Sequence, residues 1–248
     1  MAIAVVLVGL PLAGWAWFYV SMSGGFQSVI WNHLPAPDQD KPEVIAKRAV
    51  ARAKAAAPLE DLTGSKVLSR GPVSYSAYCV RGENNFKRQE GYRHDCYAAA
   101  AQFHSWSGPF PAMARALHKE LREAGWKSRK YLESLPDLAA QYESGRNPYD
   151  DKPTPGVPVV LDFSEMGWSS CYDKGESHIC FEFADRNTDV DSQTWSLDIH
   201  QSRRPRLDSS YAEHSETVDS KATMDSLLQH DDGVVFVYSE EPYFSIQS

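Results

Sequence analysis

Motifs that mark the common enzyme classes are missing from this 248-residue chain. There is no Gly-x-Ser-x-Gly elbow, no Gly-x-x-x-x-Gly-Lys-Ser/Thr loop, no Gly-x-Gly-x-x-Gly turn and no His-Glu-x-x-His pair. These absences argue against a serine hydrolase of the common type, a nucleotide-binding protein and a zinc protease. The cysteines include no Cys-x-x-Cys, so a thiol–disulfide oxidoreductase is not indicated either.

Charge is missing from the start of the chain, where residues 1–37 contain no Asp, Glu, Lys or Arg. Residues 2–20 are almost entirely apolar, and about 20 such residues span the hydrocarbon core of a bilayer. Trp15, Trp17 and Tyr19 gather at the end of this run, as aromatic residues do at a membrane interface. We therefore predict a transmembrane anchor over residues 1–22, a stalk over 23–42 and one domain over 43–248. A cleaved signal peptide is the alternative, although it lacks a basic n-region.

Four cysteines fall into two local pairs, Cys79 with Cys96 and Cys171 with Cys180. An even number of cysteines outside the cytosol indicates disulfides, and this local pairing is the most economical of the possible connectivities. A zinc site is the alternative for four thiols, but structural zinc sites use cysteines about two to four residues apart. The pairs therefore favour an oxidising compartment.

Orientation in the membrane is indicated by two patterns that disagree. Basic residues near a span tend to stay in the cytoplasm, and five of them follow the stalk: Lys41, Lys47, Arg48, Arg52 and Lys54. They begin about 20 positions beyond the apolar run, where their influence is weak. We give more weight to the cysteines and predict an extracytoplasmic domain on a single-pass protein of the cell membrane.

The net charge of −8 is unevenly distributed along the chain. Residues 1–131 carry a net charge of +7, and residues 132–248 carry a net charge of −15. An acidic half argues against a nucleic-acid surface there, and the basic half has no platform of aromatic and basic residues. We predict no nucleic-acid partner and no cofactor.

Hydrophobic periodicity predicts an α+β domain with a mainly antiparallel sheet packed by helices. Helices are predicted over residues 43–57, 96–106, 110–124, 138–142 and 220–230, with polar loops over 81–95 and 203–220. Strands are predicted over 73–80, 129–135, 159–163, 179–184, 194–200 and 234–238. The first helix has a thin apolar face expected to dock on the domain: Ile45, Val50, Ala53 and Ala57.

Two stretches of sequence carry a resemblance. The first runs from Cys96 through FPAMARAL at residues 110–117 to Gly125-Trp126, and the second joins VVFVY at 234–238 to Tyr243-Phe244. Together they resemble uncharacterised membrane-anchored extracellular proteins of high-GC Gram-positive bacteria. The resemblance covers about a third of the chain and implies anchoring and topology, with no catalytic or binding residues.

Several groups of side chains in the sequence are candidate sites. Asp185, Asn187, Asp189 and Asp191 place oxygen ligands at alternate positions, as calcium loops do, but Val190 stands where an EF-hand needs glycine. A turn rich in Asx residues is the ordinary interpretation. Other candidates are the pair His94-Asp95 beside Cys96, a metal site among histidines, a basic loop and a sugar-binding aromatic cleft. The metal site would use His104, His118, His178 and His200. The basic loop contains Arg203, Arg204 and Arg206. The aromatic cleft would be lined by Trp106, Trp126, Trp168 and Trp195.

The sequence therefore favours a non-catalytic extracytoplasmic domain that binds a protein or envelope component and is held by an N-terminal membrane helix. A cell-envelope hydrolase, with or without a metal ion, is the alternative, with histidines and acids brought together from distant strands. A purely structural subunit of a membrane assembly is a third hypothesis.

Overall fold

The computed structural model describes residues 38–81, 92–130, 132–145, 169–185, 207–215 and 220–247. The predicted anchor at 1–22 and most of the stalk lie outside these ranges. Within them, no helix combines the length and apolarity that crossing a bilayer requires.

The described part is an α+β domain built on one antiparallel sheet, which confirms the predicted class. Its elements in chain order are α1 (Pro42–Glu60), β1 (Ser69–Arg81), β2 (Tyr92–Trp106), α2 (Phe110–Glu123), β3 (Lys127–Ser128), α3 (Leu135–Glu143), β4 (Ser169–Lys174), β5 (Ser177–Asp185), β6 (Leu207–Ser215), α4 (Ser220–Leu228) and β7 (Gly233–Gln247). The strand order is β3-β4-β5-β7-β2-β1-β6, so the two longest strands, β2 and β7, pair at the centre.

Helices cover both faces of the sheet. One face packs against α1, α2 and α3, whose Leu59, Leu117 and Leu138 share a core with Phe181 and Val235. The other face packs against α4 through Met224, which contacts a cluster that includes Phe103 and Phe236. Successive residues of a strand point to opposite faces, so the central strands are buried on both sides.

The alanine-rich segment 96–106 was predicted to be helical, and this is wrong because it forms most of β2. Ala98, Ala99, Ala100 and Ala101 are fully buried between β1 and β7. Alanine is the best helix former, but tertiary burial overrides intrinsic propensity in a central strand. The small side chains also allow α1 to approach, since Ala98 packs in one cluster with residues of that helix.

The predicted inner face of α1 is also wrong. The buried residues of the helix are Val44, Ala51, Ala55, Pro58 and Leu59. The four residues expected to dock are exposed: Ile45, Val50, Ala53 and Ala57. A helix with apolar residues on two sides has no single preferred face, so periodicity alone cannot choose between them.

The helix α2 is the element that the sequence predicts best. Its apolar residues repeat at intervals of three and four and are buried, and Gly125 follows it with φ of +91°. The Trp126 N–H donates to Leu121 O at 2.9 Å, and the Gly125 N–H donates to Arg122 O at 3.1 Å. These two bonds form a Schellman motif, which explains the Gly-Trp ending.

Two further predictions are wrong. The described residues of the segment 129–135 form no strand, and the segment leads into α3, where the Asp137 carboxylate accepts the backbone N–H of Ser134 at 3.1 Å. The predicted loop 203–220 contains β6, which pairs with β1 and is an edge strand of the sheet formed by the described residues. The predicted strands 159–163 and 194–200 lie outside the described residues.

Both predicted disulfides are present, Cys79–Cys96 and Cys171–Cys180, and no free cysteine remains. Each joins residues that are directly paired on neighbouring antiparallel strands, β1 with β2 and β4 with β5. The four thiols are therefore unavailable for zinc or for nucleophilic attack.

Candidate functional site

The histidines proposed as metal ligands do not converge. His104 is buried in β2, and burial lowers its pKa to about 4. His118 on α2 shares a hydrogen bond of 2.7 Å with the Tyr172 hydroxyl, and His178 on β5 accepts the Glu240 backbone N–H at 3.4 Å. His200 lies outside the described residues. Within the described ranges, no three His, Cys, Asp or Glu side chains are placed to hold one metal ion.

The pair His94-Asp95 does not activate a thiol, because Cys96 is bonded to Cys79. His94 itself is fully buried in β2. Trp106 and Trp126, proposed for a sugar-binding cleft, are each only 1% exposed and belong to the main core, so the two rings do not form an open aromatic surface. Trp168, Trp195, and the basic loop with Arg203, Arg204 and Arg206 lie outside the described residues.

Two of the sequence candidates, Asp185 and Trp106, meet at one cavity that we call the acidic cavity. It has a volume of about 490 Å³ and lies where β2 and β5 end and β7 begins. Its lining residues are Trp106, Gly108, Pro109, Phe110, Tyr142, Asp185 and Asp232. Asn187, Asp189 and Asp191, the other members of the proposed calcium loop, lie outside the described residues.

Hydrogen bonds fix the rim of the acidic cavity. The Gly108 N–H donates to the Asp232 carboxylate at 2.6 Å, and the Asp232 N–H donates to Trp106 O at 2.9 Å. The neighbouring Asp231 carboxylate accepts the hydroxyls of Ser105 and Ser107 at 2.5 and 2.6 Å. These bonds join the turn before α2 to the turn before β7. The two turns that form the rim of the acidic cavity are therefore fixed relative to each other.

The floor of the acidic cavity is aromatic and tightly packed. The ring centroid of Phe110 lies 6.1 Å from that of Trp106 and 5.4 Å from that of Tyr142. A Cβ atom at Gly233 would lie 2.0 Å from Trp106 Cζ2, so only glycine lets the indole lie against the start of β7.

The acidic cavity combines two carboxylates, those of Asp185 and Asp232, with the phenol of Tyr142. Asp185 is only 7% exposed, whereas Asp232 is exposed. Burial, and secondly the negative charge of Asp185, raise the pKa of Tyr142 above its usual range. The phenol therefore stays protonated at neutral pH, and its hydroxyl can donate a hydrogen bond.

This arrangement suits a ligand with hydroxyl or ammonium groups. Such groups donate to carboxylates, a hydroxyl also accepts from the phenol, and the aromatic rings of Phe110 and Tyr142 offer apolar contact to the carbon skeleton. The N-terminus of α2 opens at the same rim and partly offsets the negative charge.

A larger cavity of about 590 Å³ lies between residues 61–67 and α2, but its chemistry is less specific. Its carboxylate at Glu120 already accepts the Ser65 hydroxyl at 2.7 Å and the Lys66 N–H at 3.0 Å. This carboxylate serves to hold the 61–67 loop on the helix. The lining of the larger cavity also mixes acidic and basic side chains, whereas the acidic cavity has two carboxylates beside aromatic rings, so we regard the acidic cavity as the better candidate.

Sequence reasoning missed Asp232 and Tyr142, which are distant in the chain from Asp185. Asp232 stands in an Asp-Asp-Gly turn, where aspartate has an ordinary structural role. Only the pairing of Asp185 with Gly233 in the sheet brings the two aspartates to one place.

Comparisons with protein-family models, with curated proteins and with solved structures gave no match for this chain. The resemblance to membrane-anchored extracellular proteins stays a prediction.

Proposed function

We propose that this chain is a single-pass membrane protein whose extracytoplasmic α+β domain binds a ligand without converting it. The observation that supports the location is the oxidised state of all four cysteines, since disulfides persist in oxidising compartments. The uncharged apolar run at the N-terminus supports the anchor, as a transmembrane helix over residues 1–22.

The acidic cavity is the proposed binding site. Its two carboxylates and one phenol are convergent polar groups above an apolar floor, as in small-molecule sites generally. The ligand is a hydroxyl-rich or cationic group, and an envelope glycan is one component that has such groups.

A binding experiment on the purified full-length chain in detergent tests this site. Two probes are used: an oligosaccharide of N-acetylglucosamine, which is rich in hydroxyl groups, and spermidine, which is a polycation. Binding of each probe is measured by titration calorimetry. Because a hydrogen bond to a charged group contributes roughly 1.5–3 kcal/mol, Asp185→Asn should weaken binding by about tenfold or more. Asp173→Asn is the matched control, because Asp173 forms an exposed ion pair with Arg129 outside the cavity. The assignment is wrong if neither probe binds, or if both variants bind like the wild type.

An envelope hydrolase is a second candidate, because two carboxylates of different burial line one cavity. Glycoside hydrolysis uses two carboxylates in which one acts as acid and the other as base or nucleophile. Turnover of a glycan that Asp185→Asn and Asp232→Asn each abolish would establish this function over simple binding. Stoichiometric metal in the purified chain would support the metal-assisted form.

A further inference from the structure

The helix α1 has a second apolar face that the domain does not cover. Among the described residues, three large apolar side chains are exposed, and Ile45 and Val50 on α1 are two of them, at 44% and 60%. Exposed alanines lie between them on the helix surface. This outer face consists of Ile45, Ala46, Ala49, Val50, Ala53 and Ala57.

Basic residues border the outer face on both sides. At about 100° per residue, Lys47 and Lys54 fall on one edge of the face and Arg48 falls on the other. Arg52 lies on the same edge as Arg48, but its guanidinium packs over the Tyr75 ring. The outer face between residues 45 and 57 has no charged side chain of its own. An exposed apolar stripe between two rows of cations is the pattern of a helix that lies in a membrane interface.

A groove continues the outer face on the lysine side. It has a volume of about 350 Å³, with an apolar base and two ammonium groups at its rim. Its lining residues are Ala46, Lys47, Val50, Ala51, Lys54, Pro242 and Tyr243. An apolar groove with adjacent cations matches an amphiphile that has an acyl chain and an anionic head.

We propose that the outer face of α1 docks on a lipid surface that contains anionic headgroups. A second copy of this chain is disfavoured as the occupant, because pairing two such faces would bring the basic edges of both helices together. An acidic protein would satisfy the cations, but α1 begins at Pro42, about 20 residues after the apolar run that we propose as the anchor. The docking rests on that proposed anchoring, which keeps α1 near the bilayer.

Labelling of a single engineered thiol tests this docking on the full-length chain. All native cysteines are in disulfides, so Val50→Cys introduces a unique thiol at the centre of the outer face. The chain is reconstituted in nanodiscs of phosphatidylcholine alone, or of phosphatidylcholine with phosphatidylglycerol. Each basic residue near an anionic surface changes the docking equilibrium by about fivefold. A water-soluble maleimide should therefore label position 50 about fivefold more slowly, or slower still, in the anionic discs.

The control is Ser226→Cys on α4, which is exposed and lies on the opposite face of the sheet. Its labelling rate should be the same in both kinds of disc. Replacing the lysines in Lys47→Glu and Lys54→Glu should restore fast labelling at position 50 in the anionic discs.

Three outcomes overturn the docking: equal labelling of position 50 in both lipids, equal slowing of the control, or slowing that follows protein concentration in phosphatidylcholine. The last would identify a second copy as the occupant. If the chain does not co-elute with the discs, the proposed anchor is wrong. In that case, an excess of anionic discs is added to the unanchored chain. If the labelling rate of position 50 is then the same as without discs, the proposed affinity of α1 for lipid is also wrong.

Discussion

The buried His104 of β2 makes the stability of this domain sensitive to mild acid. His104 is 1% exposed on the face covered by α1, α2 and α3. Burial is the largest cause and the nearby Arg70 charge a smaller one, and together, against an opposing contribution from the Ser69 backbone, they lower its pKa from 6.5 to about 4. The folded state therefore holds this imidazole neutral, whereas the unfolded chain protonates it at its ordinary pKa.

The sign and size of the effect follow from linkage. Because the unfolded chain binds the proton more tightly, the stability that neutral His104 permits is fully present above pH 6.5 and is lost as pH falls. With these two pKa values, the free energy of unfolding drops by about 2 kcal/mol at about pH 5 and about 3 kcal/mol at about pH 4. This is a large part of a typical domain stability of roughly 5–15 kcal/mol.

The assay is urea unfolding of the purified chain, followed by tryptophan fluorescence across this pH range. The variant His104→Gln keeps a polar side chain at this position, but that side chain does not titrate. Between neutral pH and about pH 4–5, its free energy of unfolding should therefore fall by about 2–3 kcal/mol less than that of the wild type. Burial also lowers the pKa of His118, but that residue contributes equally to both proteins. Parallel pH profiles for the wild type and His104→Gln would refute the reasoning.

The remaining predictions concern packing and the disulfides. Gly233→Ala should lower the free energy of unfolding by about 1–3 kcal/mol, because a Cβ would overlap the Trp106 ring. Gly64→Ala is its control and should change stability by less than about 0.5 kcal/mol, since no atom lies within 4 Å of the added Cβ; equal losses in urea unfolding would contradict the packing at Gly233. Replacing both Cys79 and Cys96 with alanine should cost about 3 kcal/mol, from the loop of sequence separation 17 that the bond closes. A double variant as stable as the wild type in calorimetry would show that this disulfide adds nothing.

Elements governed by local chemistry were predictable from the sequence. The periodic apolar residues of α2 and its Gly125-Trp126 ending each depend on a few neighbouring residues. The local cysteine pairs were predictable because each closes a short loop, with separations of 17 and 9.

Features that depend on distant parts of the chain were not predictable in this way. The segment that contains Ala98 and Ala100 forms a strand because it pairs with β1 on one side and β7 on the other. Its own alanine-rich composition does not reveal these partners. The acidic cavity needs β5 and β7 to pair before Asp185 and Asp232 line one space. The prediction of which face of α1 is buried was wrong for a different reason, because that helix has apolar residues on two sides.

The redox state of the cysteines in living cells tests the central claim most directly. Free thiols are blocked before lysis, and the peptides are then mapped without reduction. An extracytoplasmic binding domain predicts that Cys79 is joined to Cys96 and Cys171 to Cys180 in nearly all molecules. Four blocked, unpaired thiols would contradict it and place the domain in a reducing compartment.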